Sequence, residues 1–265
     1  MKRVLTAAIA LPLLILLILK GSFFLFDGFL LLLTLLGLFE FYRMALPERR
    51  GVGLAASFAG ALLLLAFLSP DSTVLLPALT IAVIFFGLVF LFTFRNIKTA
   101  AGEVALLFMG FLYVPLLLGH LLLLRGLPDG IQWIFLLMLI VMAGDSGAYY
   151  VGCNFGRRKL YPVVSPNKSV EGAVGGLAGS VIGAFIAQAT FFPALTVFDS
   201  LATALLLGIF GQLGDLFESF LKRSFGVKDS GTIFPGHGGV LDRLDSILFA
   251  APAAFYYACF VFMQR

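Results

Sequence analysis

Apolar runs about as long as a bilayer is thick recur along the whole chain. A helix needs roughly 20 mostly apolar residues to cross the hydrocarbon core. Segments of about that length lie at Val4–Leu19, Phe23–Phe41, Gly53–Leu68, Val74–Phe92, Val104–Leu124, Ile131–Tyr150, Gly172–Phe192, Leu201–Phe220 and Ser246–Met263. The runs are continuous rather than alternating, which favours helices over strands. The sequence therefore predicts an all-α integral membrane protein with about nine transmembrane helices. Composition excludes an ordinary soluble domain: 61% of residues are hydrophobic and 12% charged, against roughly 45–50% apolar and about 25% charged in soluble proteins.

Nine spans would leave the termini on opposite sides. Basic residues concentrate in cytoplasmic loops. Only Lys20, Arg125 and Arg265 then fall on the C-terminal side, and every other lysine and arginine falls on the N-terminal side. The N-terminus is thus expected in the cytoplasm and the C-terminus outside. One span more or fewer would destroy the asymmetry. Lys2 and Arg3 precede the first run as in a signal peptide, but no convincing cleavage site follows, so an uncleaved helix is expected. The net charge of +4 comes from cytoplasmic loops. It points to anionic head groups or substrates rather than nucleic acid. Cys153 and Cys259 would lie near opposite faces, so no disulfide is expected between them.

Polar residues are distributed unevenly. Residues 1–125 are polar mainly in short connections and read as a transmembrane scaffold, although the second span carries Asp27 and Glu40. His120 is expected to form a structural hydrogen bond. Residues 126–265 read as a catalytic region with two long polar cytoplasmic loops, 144–172 and 214–245. Asp145, Asp215, Glu218, Asp242 and Asp245 would reach one depth of one leaflet from three helices. Ionisable residues in spans are costly and by default functional. Asp215 and Glu218 share a helical face, as do Asp242 and Asp245. Clustered carboxylates need cations, either Lys222, Arg223 and Arg243 in a salt-bridge network or a hard metal ion such as Mg²⁺. The loops suit phosphate as well. Gly226, Gly231, Gly236, Gly238 and Gly239 let backbone amides approach an anion, and Arg157, Arg158, Lys159, Lys168, Lys222, Arg223, Lys228 and Arg243 supply charge. His237 either meets a phosphate or caps a turn. The glycines at 172, 175, 176, 179 and 183 predict close helix packing, inside the protein or across a dimer.

The stretch Ser219–Asp245, SFLKRSFGVKDSGTIFPGHGGVLDRLD, resembles the signature of the phosphatidate cytidylyltransferases, or CDP-diacylglycerol synthases. Ser219, Lys222, Arg223, Lys228, Asp229, Gly231, His237, Gly238, Gly239, Asp242, Arg243 and Asp245 fill its positions. The first loop is similar too, through Asp145, Lys159, Ser165, Pro166, Lys168 and Glu171. It departs at Val170 and at Cys153–Asn154. The resemblance implies cytidylyl transfer from CTP to phosphatidic acid, releasing pyrophosphate. It also implies a homodimer and a centre of Mg²⁺ with a second cation such as K⁺. Asp215 and Asp242 are the implied metal ligands, with Asp245 and Asp145 beside them as ligands or supports. Lys222, Arg223, Lys228 and Arg243 would bind phosphates, while Ser219 and His237 would orient them. Lys159, Lys168, Gly238 and Gly239 complete the expected binding set. A bacterial inner-membrane location with a cytoplasmic active site is expected. The competing readings are a CTP-dependent polyprenol kinase and a transporter of anionic lipids or metabolites.

Overall fold

A computed structural model describes residues 12–69, 73–233 and 238–265. Residues 12–20 are helical, and we call them α1. The helices that follow are α2 (Phe23–Ala45), α3 (Arg50–Leu64), α4 (Leu75–Thr93), α5 (Ile97–Tyr113), α6 (Pro115–Gly126) and α7 (Gly130–Phe155). After a short ribbon come α8 (Val170–Thr190), α9 (Val197–Ser224) and α10 (Leu241–Phe260). Among the described residues, 8 helical segments are long and apolar enough to cross a membrane. They correspond to the second through ninth predicted spans. The first half of the first span, with Lys2 and Arg3, lies outside the described residues, and its second half is α1.

The fifth span is α5 and α6 in series, Ile97–Gly126. The break falls at Val114, immediately before Pro115, whose ring and missing N–H interrupt the hydrogen-bond ladder. Other departures share one cause. Hydropathy ends a span at its first charges, whereas backbone hydrogen bonding continues past them. Thus α7 reaches Phe155, α9 reaches Ser224 and α10 begins at Leu241. The polar connections are correspondingly shorter than the sequence predicts. Strand is also present: β1 (Lys159–Tyr161) and β2 (Ser165–Ser169) pair antiparallel. The hairpin lies in a polar connection, where apolar periodicity gives no signal.

The described residues form two compact units, the first made of those up to Leu122 with those of Asp229–Arg243. Here Tyr42 ties α2 to α5 by donating from Oη to Leu107 O at 2.8 Å. Gly53 lets α3 approach, because an added Cβ would stand 3.0 Å from Tyr42 Cβ. The buried Arg49 side chain pairs with Glu103 at 2.9 Å and donates to Thr93 O at 2.6 Å. By contrast α4 buries only Phe86 and Phe90. An apolar helix exposed on its remaining faces fits lipid rather than water. His120 Nδ1 lies 2.9 Å from Leu116 O, the structural hydrogen bond expected of it.

The second unit is Leu123–Lys228 with Leu244–Arg265. Helices α7 and α8 pack through small residues. A Cβ on Gly147 would meet Gly175 O at 2.5 Å, and one on Gly144 would meet Ser180 Oγ at 2.7 Å. The glycine pattern of α8 therefore serves packing inside this unit. At the start of α9, Asp199 is 1% exposed. It accepts from Tyr257 Oη at 2.7 Å and pairs with Arg265 at 2.7 Å. Replacing Gly147 by Val should cost about 1–3 kcal/mol through overpacking and lower the melting temperature in detergent. Gly102→Ala, where a Cβ meets nothing within 4 Å, should leave it at or slightly above the wild-type value.

Candidate functional site

In the second unit, a cleft of about 650 Å³ opens between α7, α8, α9 and the β hairpin. Asp145 comes from α7, Lys168 from β2, and Gln212 and Asp215 from α9. Tyr149, Leu160 and Leu216 give the same cleft apolar wall. The hairpin is well fastened. Ser169 caps α8 by accepting from Gly172 N at 3.1 Å. Glu171 accepts from the amides of Arg157 at 2.9 Å and Arg158 at 3.1 Å. This positions Lys168, whose Nζ lies 2.6 Å from Asp215 Oδ2. Gln212 donates to Ala173 O at 3.0 Å, fixing α9 against α8 one turn before Asp215.

Asp245 on α10 is half-buried. It feels the negative charges of Asp215 and Asp145 and the positive charge of Lys222. Three of the predicted acids are therefore electrostatic neighbours. Glu218 is fully buried and pairs with Lys222 at 2.8 Å, so the Lys222 ammonium already faces a carboxylate. Arg223 donates to Val164 O at 3.4 Å and Val227 O at 3.2 Å, linking the hairpin to the end of α9. Ser219 is half-buried on α9, while Lys159 and Lys228 are exposed. Among the described residues, no group of three or more His, Cys, Asp or Glu side chains is arranged to hold a metal ion. Mg²⁺ needs no such cage, because it commonly takes one or two carboxylates together with waters and substrate phosphates. The oxygen donors of Asp145, Asp215 and Asp245 fit that chemistry.

In the first unit, Asp242 and Gly239 of the signature join a knot of hydrogen bonds. Asp242 Oδ2 accepts from Ser230 N at 3.0 Å and from Gly239 N at 2.7 Å. Ser230 Oγ lies 2.9 Å from Asp242 Oδ2 and 3.0 Å from Glu40 Oε2, with one hydrogen to donate. Glu40, 2% exposed, accepts from Val240 N at 3.0 Å and Leu241 N at 2.9 Å. It thus caps the start of α10 from a residue on α2. Gly238 has φ of 82°, a left-handed backbone that glycine adopts freely. At Gly231 and Gly239 an added Cβ would collide with the Glu40 carboxylate. The Gly239 amide thus turns toward a carboxylate of the protein. Arg243 is exposed. His237 and Gly236 lie outside the described residues.

Sequence reasoning missed Glu40 and Ser230. Glu40 sits at the end of an apolar run, where a charge looks like a helix terminus meeting water. Its position as an acid in a span was the available signal, but its partners are some 200 positions away.

Membrane-length helices thus bring two acids, a lysine and apolar side chains to one cleft. The cytidylyltransferase family profile matches residues 1–261, and the chain belongs to that family. It is 36% identical over 266 residues to the phosphatidate cytidylyltransferase of Bacillus subtilis (strain 168), covering 96% of each chain. It is 37% identical over 256 residues to that of Staphylococcus epidermidis (strain ATCC 35984), covering 94% of this chain and 95% of the relative. The Staphylococcus aureus (strain COL) protein of that name is 37% identical over 252 residues.

Glu40→Gln puts an amide where the acceptor oxygens meet backbone N–H groups. It should cost about 1–3 kcal/mol, read as a lower melting temperature. Faster protease cleavage in the 231–240 connection should accompany it.

Proposed function

We propose that the chain transfers the cytidylyl group of CTP to phosphatidic acid, giving CDP-diacylglycerol and pyrophosphate. The observation that carries this is 36–37% identity to phosphatidate cytidylyltransferases over nearly the whole chain. A cleft that sets Lys168, Asp145 and Asp215 beside apolar wall supports it. One substrate arrives from water and the other from lipid, and such a cleft offers a surface to each.

A phosphate oxygen of phosphatidic acid forms a bond to the α-phosphorus of CTP. The bond from that phosphorus to its bridging oxygen breaks, and pyrophosphate leaves. The attacking phosphate is already ionised, so no general base is needed. Positioning and charge neutralisation then lower the barrier, as in other phosphoryl transfers. Lys168 and Lys159 on the hairpin bind phosphate, and Arg157 and Arg158 add positive potential beside them. Lys228 adds to this from an exposed position, and Arg243 is assigned to phosphate by the signature alone. Asp215, with Asp145 and Asp245 near it, holds Mg²⁺. Asp242 is assigned to the metal by the signature alone, as K⁺ is assigned as second cation and His237 and Ser219 as orienting groups. Bound Mg²⁺ neutralises phosphate charge. Nine spans, a cytoplasmic site in a bacterial inner membrane and a homodimer complete the proposal.

Purified protein given labelled CTP, phosphatidic acid and Mg²⁺ should yield CDP-lipid and pyrophosphate. Release of CDP with a phosphorylated alcohol would instead identify a lipid kinase. Asp215→Asn should lower kcat by about 100-fold or more, on the scale of losing a charge-stabilising group. Near-full activity would overturn its metal role, and Asp242→Asn tests that residue in the same way. Lys168→Met removes a charged phosphate contact worth about 1.5–3 kcal/mol, so the KM for CTP should rise by roughly ten- to a hundredfold.

A further inference from the structure

The corner between α2 and α3 carries a second pocket, lined by none of the residues assigned to the reaction. It has a volume of about 390 Å³, and its lining includes Phe39, Tyr42, Arg43, Pro47, Arg50 and Leu54. Helix α2 runs up to this corner and α3 runs away from it. Arg43 lies in the last turn of α2, and Arg50 opens α3. Phe39 is one turn before Arg43 and Leu54 one turn after Arg50, so each pair shares a helical face. Both arginines therefore sit at the end of the hairpin, and both apolar residues lie one turn deeper. Phe39 is 43% exposed and Leu54 46% exposed.

Charge at the corner is net positive. Arg43 and Arg50 have no hydrogen-bond or ion-pair partner among the described residues. Arg50 also lines an adjoining pocket of about 360 Å³ with Arg49, Arg95 and one acid, Glu48. No side chain caps α3 at Arg49, so the positive end of that helix adds to the field. Arg49 is 8% exposed, and its Nη2 has no hydrogen-bond partner.

We propose that this corner binds the head group of an anionic glycerophospholipid, with Arg43 and Arg50 on the phosphate and Phe39 and Leu54 against the start of the acyl chains. A soluble anion would use the arginines alone. The exposed apolar residues one turn deeper follow the layering of a lipid, polar head outward and hydrocarbon inward. Each basic residue near a membrane surface is worth about 1 kcal/mol toward anionic lipid, so the two together correspond to roughly a thirtyfold preference.

The test measures lipid retention on the purified full-length chain by native mass spectrometry, without CTP, so the outcome is independent of the catalytic assignment. Dioleoylphosphatidylglycerol and dioleoylphosphatidylcholine are compared as probes, with glycerol 3-phosphate as competitor. The wild-type chain should hold phosphatidylglycerol at least tenfold more tightly than phosphatidylcholine. Arg43→Gln/Arg50→Gln should abolish that preference while keeping the wild-type melting temperature in lipid-free detergent, since both side chains are exposed. Phe39→Ser/Leu54→Ser should weaken both lipids. Unchanged phosphatidylglycerol binding in the arginine variant, or equal binding of the two lipids by the wild type, overturns the proposal. Displacement by glycerol 3-phosphate at equal concentration overturns the lipid assignment in favour of a soluble-anion site.

Discussion

A carboxylate cannot remain among apolar helices unless donors meet it. The described structure satisfies this condition repeatedly. Glu40 draws in two backbone amides and the Ser230 hydroxyl. Glu218 takes the Lys222 ammonium. Asp199 collects Tyr257, Arg265 and its own capping box. Each arrangement fixes the end of a helix or a connection between helices, so the acids act as anchors throughout the fold. Apolar side chains then fill in around them, and glycines mark where backbone must come near.

The acids differ in how completely they are matched. Glu40 and Asp199 have several donors at short distance and little exposure. Asp245 is repelled by both Asp215 and Asp145, with Lys222 and Lys168 close by. Like charge beside the cleft distinguishes these acids from the anchors, whose oxygens are held by short hydrogen bonds. The distinction rests on geometry, since all are single acids within or beside apolar runs.

Much of this was legible in the sequence. Run length gave the second through ninth helices, because bilayer thickness imposes a length that composition shows directly. The motif Ser219–Asp245 gave the family, and spacing grouped Asp145, Asp215, Glu218, Asp242 and Asp245 as candidates, of which Asp145, Asp215 and Asp245 are electrostatic neighbours. Helix ends were less legible. Charges at Lys222, Arg223 and Asp242 stop a hydropathy window but not a hydrogen-bond ladder. The hairpin at Lys159–Ser169 was missed because its two strands are only 3 and 5 residues long. Glu40 was set aside with the scaffold, since nothing local to residue 40 shows that it meets Val240 and Leu241.

The Glu40 knot also bears on how the chain is made. The first compact unit is discontinuous, because the described residues of Asp229–Arg243 belong to it although the second unit intervenes. During synthesis, α2 enters the bilayer with a carboxylate whose partners are still some 200 residues from being translated. Until the ribosome has passed Leu241, that acid must rely on water or a temporary escort. The N-terminal helices therefore complete their packing only when the nascent polypeptide is nearly finished, and a chain that stops before Asp229 lacks every one of these donors to Glu40.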